Sequence, residues 1–141
     1  MFVAYIYKCS YILMRPMKGR TDEHMVAVFQ DIYDYLREQN LTPSLYMMDN
    51  EWSKAIKNFI KNEKLDIQLV EPHIHRVNAT EPAVKAAKYH TIAGLATVYT
   101  TCPLRLWCNF VLQIQDTLNM MRTSRRNSNI SAYEDMKGPF D

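Results

Sequence analysis

The sequence predicts an α/β layered domain, and three observations carry that prediction. Short β-rich runs alternate with longer runs of helical periodicity, in the order β-β-α-β-α-β-α-α. The composition is globular: 48% of residues are hydrophobic and 23% charged, which argues against a disordered or fibrous chain. The length, 141 residues, suits one ordinary domain, so residues 1–141 are read as a single domain.

Residues 2–7 and 11–14 are apolar and aromatic runs, and Cys9-Ser10 between them is short enough for a hairpin. The chain enters its first strand at once, where domains usually supply a few residues of lead-in. Thr21 is a suitable N-cap, with Asp22 and Glu23 placed to favour the helix dipole. Met25, Val28, Phe29, Ile32 and Leu36 then recur at helical spacing, until Asn40 and Pro43 close the element. Residues 44–48 read as a strand running into Asp49-Asn50-Glu51. A helix over 53–63 presents Ile56, Phe59 and Ile60, and residues 66–70 alternate as a strand should, until Pro72. From Asn78 the pattern is helical. Ala83, Ala86, Ala87, Ile92 and Leu95 fit one helix that stops near Thr97. Pro103 is placed to open the next, in which Leu104, Trp107, Val111, Ile114, Leu118 and Met121 form a stripe. Ser131 and Glu134 have capping-box spacing, and Gly138 suits a terminator.

Composition removes several function classes. Cys9, Cys102 and Cys108 are too few and too oddly spaced for a disulfide framework or a zinc cluster. The three glycines, Gly19, Gly94 and Gly138, lie far apart, so a backbone cradle for a nucleotide cofactor is excluded. No apolar run approaches the ~20 residues that span a bilayer, so no membrane partner is expected. The opening lacks the charged start and cleavage site of a signal peptide, and an intracellular setting is the expectation.

Charge is uneven beneath a net +2. Residues 82–130 hold six cations and one anion, Asp116, whereas residues 1–81 hold ten cations and eleven anions. A basic half of this kind is either a solvated helix face or a surface for phosphates.

Asp49 falls at the C-terminal end of a predicted strand, the edge where α/β layers collect ligands. Glu81 falls at the start of a predicted helix. Two such carboxylates can converge on a hard cation such as Mg²⁺, which takes one or two carboxylates together with waters and phosphate oxygens. The simpler reading, which the spacing alone favours, makes Asp49-Asn50 turn residues and Glu81 a helix-start anion. His73 and His75, at i and i+2, point the same way on extended chain, and Arg76 adjoins them. They read as metal ligands, as polar loop residues beside a site, or as partners of phosphate. No Gly-x-Ser-x-Gly elbow occurs, so a nucleophilic triad has little support.

The run Met48-Asp-Asn-Glu-Trp-Ser53, followed by Gln68-Leu-Val-Glu-Pro-His-Ile-His-Arg-Val-Asn-Ala-Thr-Glu81, resembles the integrase catalytic core of retroelements, most closely the copia-type retrotransposons. Lys88-Tyr-His90, Ile92-Ala-Gly-Leu95, Leu106-Trp107, Thr117-Leu-Asn-Met-Met-Arg122, Ser124-Arg125 and Ser131-Ala-Tyr-Glu134 resemble successive later segments. The resemblance implies a ribonuclease H-like fold, a mixed five-stranded sheet flanked by helices. It also implies DNA integration by divalent-metal-dependent phosphodiester cleavage and strand transfer, with Mg²⁺ or Mn²⁺ held by three acidic residues. Asp49 matches the second aspartate and Glu81 the glutamate. Asn78, Lys85 and Lys88, with His75 and Arg76, are the expected nucleic-acid contacts. DNA, a second copy bound through the late helices, and a nuclear setting in a eukaryotic host complete what the family implies.

The chain departs from the family pattern in four respects. Nothing matches the first aspartate, so the reading is of an N-terminally incomplete core lacking its first strand, with impaired catalysis. Ile6 and Lys8 stand where two aspartates are common. Pro82 stands for arginine, and its missing N–H suggests a helix that starts about three residues late. Ala87 stands for a large apolar residue, which suggests a cavity costing ~2–5 kcal/mol. The competing expectations are a non-enzymatic nucleic-acid-binding or dimerisation module, and a decayed fragment without function.

Overall fold

Four strands and five α-helices form from residues 1–49, 53–70 and 79–139, the residues that the computed structural model describes. In chain order they are β1 (Phe2–Ile6), β2 (Tyr11–Arg15), α1 (Asp22–Glu38), β3 (Leu45–Asp49), α2 (Lys54–Asn62), β4 (Asp66–Val70), α3 (Thr80–Ala96), α4 (Trp107–Met120) and α5 (Ala132–Lys137). A 3₁₀ turn, Leu104–Leu106, leads into α4. The class is mixed α/β, as the sequence predicts. The strands form an antiparallel pair, β1–β2, and a parallel pair, β3–β4. By internal contacts the chain divides into Met1–Pro16 with Ala79–Asp141, and Met17–Asn78.

In the first unit the hairpin turns through residues 7–10, and Ser10 takes the left-handed conformation at φ 59°. Arg122 Nε holds the turn by donating to the Ser10 carbonyl at 3.3 Å. Ile12 and Met14 of β2 meet Ala83 and Ala87 of α3 and Val111, Ile114 and Leu118 of α4 in one buried cluster. Ala83 and Ala87 are small enough to let α3 lie close to the hairpin. Gly94 does the same for the helix pair, since a Cβ there would stand 2.9 Å from Ile114 Cγ1.

Polar side chains of α4 finish the outer edge of β2. Ile12 N–H donates to Asn119 Oδ1 at 2.8 Å, and Asn119 Nδ2 returns a bond to the Ile12 carbonyl at 2.8 Å. Met14 N–H donates to Gln115 Oε1 at 2.7 Å, and Gln115 Nε2 donates to the Tyr11 hydroxyl at 2.9 Å. Both amides are buried, and their hydrogen bonds offset the cost of burial. Nothing in the hydrophobic periodicity marks them out.

The segment after α4 is clasped to α5. Ser131 and Glu134 form the expected capping box, and Gly138, at φ 91°, ends the helix by donating to the Glu134 carbonyl. Arg126 and Ser124 both bond the Asp135 carboxylate, and Lys137 pairs with Asp116 at 2.7 Å.

Three expectations are corrected here. Pro103 opens the 3₁₀ turn and not α4, with Leu106 N–H donating to the Pro103 carbonyl at 2.9 Å. Met121 lies past the last turn of α4 and is 73% exposed. Ile92 is 55% exposed because nine residues, about two and a half turns, carry it to the side of α3 opposite Ala83.

The second unit, described by itself, is α1 with a β3–α2–β4 crossover. Thr21 caps α1 as predicted, its hydroxyl accepting from His24 N–H. Strands β3 and β4 run parallel in register from Leu45↔Asp66 to Asp49↔Val70. Ile56 and Ile60 of α2 are buried, as are Phe29, Ile32, Tyr33 and Leu36 of α1. The Phe29 ring packs against Tyr46 and Phe59, with centroids 5.8 and 6.5 Å away. Burial pushes the Tyr46 hydroxyl up to about 12, and it has no hydrogen-bond partner among the described residues.

Candidate functional site

The expected site residues fall into three groups. Asp49 is the last residue of β3, beside the end of β4, in the unit 17–78. That is the C-terminal strand edge of a βαβ crossover, as its sequence position implies. Glu81, Lys85 and Lys88 all lie on α3, in the other unit. His75, Arg76 and Asn78 lie outside the described residues, as do His73 and Pro72.

The start of α3 decides how Glu81 is presented. The helix begins at Thr80, with Ala79 as its N-cap, and its first internal bond runs from Ala83 N–H to the Ala79 carbonyl. Pro82 is therefore in the first turn, where backbone N–H groups have no intrahelical acceptor, so its missing donor removes nothing. The helix thus starts two residues after Asn78, close to the later start that Pro82 suggests. Glu81 lies in the first turn, exposed, where its charge suits the helix dipole.

From Glu81 the spacing i, i+4, i+7 brings Lys85 and Lys88 onto the same exposed side of the helix. Tyr89, 60% exposed, extends this side, and Lys85 Nζ stands 6.0 Å from its ring centroid. The arrangement joins one carboxylate, two exposed cations and an exposed aromatic ring. Lysines can pair with phosphates and the ring can stack on a base.

Other features of this unit suit different tasks. An open cleft of about 340 Å³ lies between the end of α3 and the start of α4, walled by Leu95, Tyr99, Trp107 and Phe110. Among the described residues no charged side chain lines it, so it is a poor place for a phosphate. The stripe Val111, Ile114 and Leu118, which the sequence leaves open as core or dimer surface, is buried in the core of its own unit. Ala87, where a cavity was expected, is fully buried within that same core. Arg126, aided by Ser124, holds the Asp135 carboxyl below its usual value, and burial pushes the Cys9 thiol up. Both groups belong to the clasp and the hairpin turn.

Among the described residues, no group of three or more His, Cys, Asp or Glu side chains is gathered closely enough to hold a metal ion. None of their helices is long and apolar enough to cross a membrane. No protein-family model matches the chain, and no curated protein matches it.

Proposed function

We propose that the chain is a copia-like integrase core that engages DNA through α3. The observation that carries this reading is the exposed side of α3, where Glu81, Lys85, Lys88 and Tyr89 stand together. Asp49 at the end of a parallel strand supports it. By the resemblance Asp49 and Glu81 are each a carboxylate that would hold Mg²⁺ or Mn²⁺, ions that would activate an attacking oxygen and stabilise a leaving one. An exposed carboxylate beside lysines fits an ion that keeps most of its water and shares a phosphate. The chain's own part is to draw the DNA backbone along α3 by Lys85 and Lys88. On this reading the protein works inside the cell, and in the nucleus of a eukaryotic host.

Strand transfer between oligonucleotide ends, with Mg²⁺ or Mn²⁺, tests the chemistry. Product that Asp49→Asn and Glu81→Gln each abolish is the expected result. Product that both variants leave unchanged would overturn the roles of the two carboxylates and leave the DNA reading intact. A second reading, a nucleic-acid-binding module without catalysis, is favoured by the single described carboxylate on this face. It predicts that Glu81→Gln leaves DNA affinity unchanged or tighter, with no metal dependence.

A further inference from the structure

The loop between α4 and α5 carries Arg125-Arg126-Asn127-Ser128, which sets two arginines three and two residues ahead of a hydroxyl. No other serine or threonine of the chain follows arginine at both places. Pairing of Thr123 with Ser131 closes the loop at its base, and Ser124 N–H donates to the Ile130 carbonyl at 3.0 Å. At the tip, Ile130 N–H donates to the Asn127 carbonyl at 3.3 Å, and Asn129 N–H to Asn127 Oδ1 at 3.0 Å. Ser128 therefore stands at the corner of a turn, and residues 125–129 are all exposed. The fold sets it apart from the serines on either side. Ser124 is buried and bonded to Asp135, and Ser131 caps α5.

The two arginines are held differently. Arg125 is exposed at the tip. Arg126 is engaged: Nε donates to Asp135 Oδ2 at 3.0 Å, and Nη2 donates to the Asp135 carbonyl at 3.2 Å and to its carboxylate. Carboxylates recognise guanidinium groups as planar forks, and a kinase that selects arginine presents such carboxylates beside its acceptor site.

We propose that Ser128 is a phosphorylation site for a protein kinase with an acidic, arginine-selecting groove, and that the clasp between Arg126 and Asp135 gates it. Arg126 cannot serve Asp135 and the groove at once, so the clasp opens before the loop is seated. In the transfer, Ser128 Oγ forms a bond to the γ-phosphorus of ATP as the bond to the β-phosphate oxygen breaks. ADP leaves, and the hydroxyl proton passes to the kinase's carboxylate base. The phosphoserine then carries about −1.5 to −2 charge, beside the arginine that Asp135 holds. It competes for that arginine, and it cuts into the excess of six cations over one anion across residues 82–130.

Incubation of the full chain with ATP and the catalytic subunit of cyclic-AMP-dependent protein kinase tests this, with the modified residue located by mass spectrometry. The wild type is expected to take one phosphate, at Ser128, and Ser128→Ala to take none. Arg125→Ala is expected to slow the transfer by about tenfold or more. Asp135→Asn, which frees Arg126, is expected to speed it by about threefold or more. A wild type that takes no phosphate overturns the proposal, as does a phosphate that Ser128→Ala leaves in place. A rate that Asp135→Asn leaves unchanged overturns the gate. Should Asp135→Asn not fold, Ser124→Ala decides, since it also removes a bond to that carboxylate. Faster transfer in that variant supports the gate, and an unchanged rate overturns it.

Discussion

Asn119 satisfies three main-chain obligations at once. It accepts from Ile12 N–H, and it donates to the Ile12 and Gln115 carbonyls. An alanine there would strand both Ile12 groups in a site that is fully buried. Each such group costs about 1–3 kcal/mol when left without a partner. We expect Asn119→Ala to lower unfolding free energy by about 2–4 kcal/mol, read as a shift in denaturation midpoint at unchanged slope. A change below about 0.5 kcal/mol would mean that water replaces the amide. Tyr46 makes the opposite case. Its buried hydroxyl does nothing for the fold among the described residues, and its raised value makes the protein lose stability as pH climbs from its ordinary 10 towards 12.

At the scale of elements, the packing of α3 on α4 depends on Gly94. Alanine would improve helix propensity by about 1 kcal/mol but would press a Cβ into Ile114 near its branch point, with little room to yield. Overpacking of about 1–3 kcal/mol outweighs the propensity gain, so Gly94→Ala is expected to destabilise by roughly 1 kcal/mol in chemical denaturation. Stabilisation instead would show that Ile114 moves aside freely. The termini of elements are the most legible part of the sequence, because their signals are local. Thr21, the Ser131 capping box, Gly138 and the 66–70 strand all stand as read. The interior of α4 is less so. Gln115 and Asn119 have the spacing of a solvated helix face, and only the approach of a strand edge makes them core. Met121 and Ile92 mislead for a related reason: apolar character runs on beyond the helix end and around to its far side. The site is legible in one respect, the shared face of Glu81, Lys85 and Lys88, since helical spacing alone fixes it. The role of Pro82 is not, because it depends on which residue begins the helix.

For the whole molecule, net charge conceals a local excess that α3 brings to the surface. A protein that meets DNA through such a face releases condensed cations, so affinity falls steeply with salt. Replacing Lys85 and Lys88 with alanine is expected to weaken oligonucleotide binding at low ionic strength by about tenfold or more. It should also flatten the log–log salt slope by about 1 for each lysine–phosphate pairing removed. A slope unchanged in the double variant would exclude this face as the DNA surface. Both lysines are exposed, so their removal leaves the fold in place as a control.

The amide cap on β2 has a consequence for how this sequence can drift. At positions 12 and 14 Gln115 and Asn119 bond main-chain atoms, which are the same whatever side chains stand there, while Gln115 also donates to the Tyr11 hydroxyl. Substitutions at 12 and 14 are therefore judged by volume alone, and only proline breaks the cap. At 115 and 119 the constraint is chemical, because a donor and an acceptor are needed on one short stem. A saturation library of these four positions should thus divide cleanly, with two columns tolerant of any apolar residue of similar size and two nearly restricted to amides.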